Sequence, residues 1–530
     1  MRDAPAEQAA GFDAVRQPSR RGRTHDMPPK SREGSRTPSS STAGAKPAPR
    51  RDWFDLRSPY VVPLLLLVLS RLIAAWLLPA PAEDAFITFR YARNFAAGHG
   101  LVYNPGAHVM GFSSPLWTLW LALGIRVLHD PVPWARGSAL IADVVTLVLL
   151  ARALDRHVSR AAAWCFGIFF ATWFYFSAVA ASGMENGVVV MLVVLAATLV
   201  ERRHALAGPA LAALALSRPE GLAAAFVLAI GASWRDRAIA AALVAPALLL
   251  LWRTFGSIVP QSVLAKAHVY GTPGPWAGRA WWEWLLPFPL GVPPGTQEGV
   301  HLFLMAVVLA PAFALGLGAL WPHRDRGFAR AAGVLLLVMA GYSLLGVSYF
   351  FWYLALPLTG VALAASVGLP SLTRGPALYV ALGCFLAGMW WGTAPLYIGR
   401  SQAETQDFGG VADWLQAHAQ RGQKVMLEPI GIIGWTCPLV VVDEVGLVSP
   451  DVTRRRMQGA GWYADVAAAE RPDWLVVRRR ELESSVGFAG TGAPFRSAAE
   501  RDSLLARYTR ATVIATTPGP SELWVLERVR

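Results

Sequence analysis

Cysteine is nearly missing from this 530-residue chain: Cys165, Cys384 and Cys437 are the only three, far apart and without a CxxC pair. That excludes a disulfide framework and leaves metal or redox chemistry through thiolates unsupported. Charge is scarce too, at 16% of residues against 54% hydrophobic ones, which excludes the usual soluble profile. The stretch "IGIIG" (430–434) has neither the spacing of a GxGxxG turn nor a ribose-binding acid in context, so a dinucleotide site is unsupported. No internal repeat is visible, and no apolar h-region lies near the start, so a cleavable signal peptide is not expected.

What is present is apolar sequence in long blocks. Runs near 58–80, 134–151, 160–181, 238–252, 301–321, 328–346, 350–369 and 376–396 approach or reach the roughly 20 residues that cross a bilayer. They are apolar all round, whereas helices of soluble proteins carry a polar face. The sequence therefore predicts a polytopic α-helical membrane protein embedded in a lipid bilayer. Nearly half of the net charge of +13 lies in the first tenth of the chain: residues 1–51 hold eleven Lys/Arg against five Asp/Glu in a Pro-, Ser-, Gly- and Ala-rich stretch. Such a segment cannot bury enough apolar surface to fold. Residues 1–52 read as a disordered basic cytoplasmic tail that meets anionic headgroups, and no nucleic-acid partner is expected.

Arg-rich loops at 151–160, 201–204, 233–237, 322–330 and 371–375 belong on the cytoplasmic side. Alternation then puts 81–112, 181–186, 217–221, 256–300 and everything after about 397 on the other side. With "SSPLWTLWLALGIRVL" (113–128) read as re-entrant or interfacial, the count is about eleven spans, or thirteen if one is split or missed. Either odd number leaves the N-terminus cytoplasmic and the C-terminus outside. Two short runs, 205–216 and 222–232, flank Arg218-Pro219-Glu220-Gly221, a pattern of a broken helix lining a polar cavity or of a plain tight turn. From about 400 the composition changes. Strand-like stretches at 424–428, 439–445, 474–478, 511–517 and 522–528 alternate with helical patterns at 408–420 and 496–508, predicting a small α/β domain.

Four loops assigned to the outer side carry the conspicuous polar groups. The first holds Glu83, Asp84, Arg90, Arg93, His99 and Asn104; the others hold Glu185, then Arg218 with Glu220, then Gln261, Lys266 and His268. Carboxylates beside fixed cations at headgroup depth suit transfer from a lipid-linked phosphate. Arg or Lys holds the leaving phosphate, and a carboxylate takes the proton from an attacking hydroxyl. Plainer roles stand beside this one. Glu83 and Asp84 can favour a helix N-terminus, Arg90 and Arg93 can snorkel to headgroups, and His99 and His108 can be turn residues. Trp117, Trp120, Trp281 and Trp282 read mainly as interface belts.

Together, "EDAFITFRYARNFAAGHGLVYNPGAHVMGFSSPLW", "SGMEN", "LSRPEG", "FGSIVPQSVLAK", "YFFWYLALPL" and "EPIGIIGWTCPLVVVDEVGLVSPDV" resemble the GT-C superfamily of membrane glycosyltransferases over nearly the whole chain from residue 58. The terminal arabinofuranosyltransferase branch is the most similar; lipid A aminoarabinose transferases and protein O-mannosyltransferases are more distant. The resemblance implies a polyprenyl-phosphate sugar donor, a glycan or glycolipid acceptor, inverting transfer of a pentosyl or hexosyl unit, and no metal or other cofactor. It also implies a catalytic acid in the first outer loop, where the usual pattern is "DDAF" or "DDAY". This chain has Glu83 in the first acidic position, so Asp84 is the expected base with Glu83 the alternate. Arg90, Arg93, His99, Arg218, Glu220 and Lys266 are the expected donor-phosphate and substrate contacts. The expected organisation is a tail (1–52), a transmembrane catalytic domain (53–398) and an extracytoplasmic α/β domain (399–530), in a bacterial inner membrane. A lipid-linked-sugar flippase is the alternative from another class, and an envelope scaffold is a third.

Overall fold

The structure, a computed structural model, describes residues 59–270, 297–345, 350–373, 375–483, 492–515 and 522–529. The expected tail at 1–52 lies outside the described residues, as do Trp281, Trp282 and the loop at 346–349. In an apolar medium a segment must satisfy its own backbone, and a helix does so without outside partners. Pro131–His157, Trp234–Phe255 and Phe351–Leu372 are each long and apolar enough to cross a bilayer, and the pair Arg160–Thr172 and Phe174–Ala181, bent by 50°, makes a fourth candidate. Shorter apolar helices include Val61–Leu77, Pro115–Leu128, Asn186–Glu201 and Pro219–Ala229. On length and composition the described residues thus give fewer clean spans than the eleven to thirteen expected, because several runs are short or interrupted. Apolar faces remain uncovered: Leu65, Leu69, Leu72 and Trp76 are exposed along one side of Val61–Leu77. That is the surface of a membrane protein.

The run at 160–181 breaks at Trp173, whose backbone is extended (φ −66°, ψ 116°). The break frees carbonyl groups, and one buried arginine takes them up. Arg71, on Val61–Leu77, donates to the carbonyls of Phe170 (3.1 Å) and Ala171 (3.0 Å) and to Ser177 Oγ (2.9 Å). Its charge is balanced by Asp143 at 2.8 Å on Pro131–His157. An ion pair at this depth persists only when both members are fully engaged. Trp117, expected in an interface belt, is instead buried among Phe89, Leu121 and Trp352; Trp120 is half-exposed and donates to Ser138.

The C-terminal part contains the predicted α/β unit. Its strands are β1 (Lys424–Leu427), β2 (Val440–Asp443), β3 (Trp474–Arg478), β4 (Tyr508–Ala515) and β5 (Glu522–Arg528), ordered β2-β1-β3-β5-β4. β1 is parallel to both β2 and β3, while β5 pairs antiparallel with β3 and β4. The parallel strands read as unbroken apolar runs because helices cover both faces. The helix Pro376–His418 is continuous across residues 398 and 399 and places Val411, Ala412 and Leu415 against the sheet.

Polar groups of the first loop fasten this unit down. Asn104 treats edge strand β2 as a neighbouring strand would: Nδ2 donates to Val441 O (2.8 Å) and Oδ1 accepts from Val441 N (3.1 Å). Tyr103 donates to Ile430 O at 2.5 Å, and Gln261 donates to Gly446 O and Thr453 Oγ1 at 3.0 Å each. Ile87, Tyr91 and Phe112 share one apolar cluster with Val425, Ile433 and Val441. Replacing Asn104 by Ala leaves the N–H and C=O of Val441 unpaired, so Asn104→Ala should cost about 1–3 kcal/mol. The expected reading is a lower thermal unfolding midpoint in detergent with helix content unchanged.

Candidate active site

Glu83 and Asp84 open the helix Glu83–Ala96, where the N-terminal partial charge favours acids. Adjacent helical positions diverge by about 100°, and the two carboxylates part company. Glu83 is buried and turns to the C-terminal unit, accepting from Gly431 N and from Ile432 N (3.3 Å) at the start of the helix Gly431–Thr436. A Cβ on Gly431 would overlap the Glu83 carbonyl and carboxylate, which is why glycine stands there. Burial first, and then the charge of Asp84, raise the Glu83 carboxyl well above its ordinary range, against the lowering effect of the Gly431 N–H.

Asp84 faces the other way, onto Lys266 Nζ at 2.7 Å. Lys266 sits on the helix Gln261–Tyr270, whose start is fixed by Gln261 N donating to Met110 O at 2.8 Å. Its ammonium lies 4.1 Å from the centre of the Phe350 ring. Burial alone would lower its pKa, but the adjacent Asp84 outweighs that and raises it. The lysine is one of four in a chain with 44 arginines. A second charged group stands at the break between the helices Ala207–Ala215 and Pro219–Ala229. There Arg218, in extended backbone, bridges Glu185 and Glu220, the latter at 2.6 Å. Tyr342 also donates to Glu220 at 2.6 Å, and Tyr353 lies 5.0 Å from the Arg218 guanidinium carbon.

Both groups line one cavity of about 830 Å³. The rest of its wall is largely apolar, with Val227 from Pro219–Ala229 and Leu337, Leu344 and Leu345 from the 327–345 stretch. Those four side chains are exposed, so this apolar flank of the cavity is open. Two lining residues keep buried polar atoms without a hydrogen-bond partner among the described residues, Ser262 Oγ and Trp352 Nε1.

Of the expected site residues, Asp84, Arg218, Glu220 and Lys266 are gathered here, and the helices broken at 218 line this largely apolar cavity. Arg90, Arg93 and His99 are not brought to it. Arg90 is buried and engaged with the carbonyls of Tyr103 (2.9 Å), Gly434 (2.6 Å) and Leu439 (2.7 Å). Arg93 donates to Trp435 O and lies over its ring at 4.1 Å, and His99 is exposed in a turn. Three hydrogen bonds to main chain leave Arg90 no freedom to reach a phosphate, so its role is to dock the C-terminal unit. Glu185 takes a partner's place that spacing alone did not give it, and Tyr342 was unmarked in the sequence. The aromatic run "YFFWYL" was the available signal for Phe350, Trp352 and Tyr353. Among the described residues no group of three or more His, Cys, Asp or Glu is placed to hold a metal ion.

Solved structures of similar shape carry this arrangement of apolar helices and soluble unit. ArnT from Cupriavidus metallidurans bound to undecaprenyl phosphate matches with a TM-score of 0.56 at 12% identity, over 88% of this chain and 97% of that one. The chain has the GT-C fold. The oligosaccharyltransferase of Archaeoglobus fulgidus in its apo form matches the same fold with a TM-score of 0.50 at 12% identity, over 89% of this chain and 75% of that one. Mycobacterial arabinofuranosyltransferase AftD matches at 0.42 and 16% identity, over 88% of this chain and 41% of that one, a score too low to speak for a sugar. Residues 396–525 match a family model described as a domain of unknown function, DUF8728, so the soluble unit of this GT-C fold has sequence relatives of its own. No curated protein sequence matches the chain.

A carboxyl whose folded pKa lies above its unfolded value contributes stability below the unfolded pKa and loses it as pH rises through the folded one. Glu83 is of this kind. Glu83→Gln keeps an acceptor for the Gly431 N–H without the buried charge, so its melting temperature should fall less than wild type's as pH rises above the ordinary carboxylate range. Glu83→Ala should lose about 1–3 kcal/mol. Melting curves across pH check both.

Proposed function

We propose that the chain is a polyprenyl-phosphate-sugar-dependent glycosyltransferase that moves a sugar to an envelope glycan or glycolipid on the outer face of a bacterial inner membrane. The observation that carries this reading is a carboxylate, Asp84, held by a lysine in a cavity that also contains Arg218 and has an open apolar flank. A sugar on a prenyl phosphate needs those three surroundings at once: apolar wall for the chain, cations for the phosphate and a base for the acceptor. ArnT, of the same fold, was crystallised with undecaprenyl phosphate. In this reading residues 53–398 form the catalytic membrane domain and 399–530 an extracytoplasmic one, with the N-terminus cytoplasmic.

The step is a direct displacement. The acceptor hydroxyl oxygen forms a bond to the anomeric carbon while the bond from that carbon to the phosphate oxygen breaks and its electron pair leaves with the phosphate. Asp84 takes the hydroxyl proton. Lys266, with three donors and one directed at Asp84, and Arg218, whose Nη2 carries no hydrogen bond among the described residues, stabilise the leaving phosphate. The configuration inverts because attack and departure are on opposite sides. Glu220 and Glu185 orient Arg218 and reduce the field it would otherwise exert on Lys266. The flippase alternative has less behind it: the intramembrane pair Arg71–Asp143 is engaged in closing a helix break, not in lining the cavity.

Transfer is to be measured with detergent-solubilised protein, labelled decaprenyl- and undecaprenyl-phosphate sugars and envelope glycan acceptors. Asp84→Asn should lower the rate by about 10²-fold or more, while Glu83→Gln keeps most of it. Lys266→Ala and Arg218→Ala should both weaken use of the donor. Full transfer by Asp84→Asn would remove the base assignment, and absence of transfer by wild type across the panel would remove the reading.

A further inference from the structure

A second, smaller pocket of about 160 Å³ meets the large cavity at Asp84, Lys266, Phe350 and Trp352. Its far wall is built differently. Glu428 follows the last residue of β1, Asp443 ends β2 and Arg478 ends β3, so three mutually parallel strands deliver their carboxyl ends to this one place. In open α/β sheets the crevice at the strands' carboxyl ends is where ligands are held. Arg400 and Glu404, on Pro376–His418, close the side.

We propose that this pocket is the binding subsite for one ring of a neutral, hydroxyl-rich glycan, the acceptor of the reaction proposed above. Its three cations are each compensated by a carboxylate: Arg478 by Glu428, Arg400 by Glu404 at 2.7 Å, and Lys266 by Asp84 at 2.7 Å. Counting every charged lining side chain, five acids face three cations, so the pocket does not attract a second anion such as phosphate. Paired carboxylates still keep lone pairs that accept from hydroxyl groups, the chemistry by which proteins hold uncharged sugars. Trp352 supplies an independent sign of a ligand: it is 3% exposed, lines both spaces, and its Nε1–H has no partner among the described residues. A sugar oxygen is a fitting acceptor for that donor. The volume holds one sugar ring and no lipid chain. Asp84 then stands where lipid-lined and hydroxyl-lined spaces join, within reach of a hydroxyl from one and an anomeric carbon from the other.

Binding is to be read without donor or turnover, so that its outcome is separable from that of the transfer assay. The full chain in detergent is titrated with neutral manno-, gluco- and arabino-oligosaccharides, and hydrogen exchange is followed over peptides covering 425–434 and 440–448. Slower exchange there with at least one neutral series, and binding weakened tenfold or more in both Glu428→Gln and Glu404→Gln, is the expected result. Glu404 is on a half-exposed helix face, so its variant tests the site even if the Glu428 variant is unstable; unchanged exchange in Asn186–Glu201 reports an intact fold. Binding indifferent to both substitutions, or binding only of phosphorylated oligosaccharides, would overturn the assignment, as would no binding of any neutral series. If glycan binds as described while no prenyl-phosphate sugar is turned over, the subsite stands and the transfer reading falls.

Discussion

A carbonyl released from a helix inside an apolar surround has to find a donor, and this constraint organises the molecule. Helices are interrupted at Trp173 and at Arg218, and an arginine is present at each interruption. The two arginines do opposite things. Arg71 gives its donors to the freed carbonyls at Trp173 and is neutralised by Asp143, so nothing of it is left over for chemistry. Arg218 is held by two carboxylates instead, with Tyr342 on one of them, and its guanidinium edge faces a cavity. A third arginine, Arg90, again serves carbonyls, those that join the first loop to the C-terminal unit.

Much of the fold was written in local pattern. The apolar runs became helices because period and hydropathy decide that without help from distant residues, and four strands of the C-terminal sheet fall within the stretches that apolar and β-branched content marked, while β4 begins three residues before its stretch. What local pattern does not carry is interruption. The run at 160–181 reads as one span, yet it bends by 50° because Arg71, some hundred positions earlier, is there to satisfy the break. Span counts drawn from runs alone overstate the clean helices for that reason.

The site was legible to the same degree. Loops assigned to one side by charge alternation did converge on one cavity, bringing Asp84, Arg218, Glu220 and Lys266 together. The sequence could not tell Arg90 from Arg218, because each is an arginine near an acid in a polar loop. Only the positions of Gly434 and Leu439, more than 340 residues away, show that Arg90 is a fastening. Nor could it separate Glu83 from Asp84: one step along a helix sends one carboxylate into the C-terminal unit and its neighbour into the cavity. Glu83 has the longer side chain, and it is the one that must reach across to Gly431.

The scarcity of lysine makes the cavity chemically addressable. Lys30 and Lys46 belong to the N-terminal stretch, and Lys424 lies at the sheet, paired with Glu470. Lys266 is the only primary amine of a side chain among the described residues that is directed into the cavity. Asp84 keeps that amine protonated, so an amine-selective reagent small enough to enter would mark it slowly, and faster once the carboxylate is removed. The protein carries, at the residue that steadies its carboxylate, a chemical reporter of that pairing.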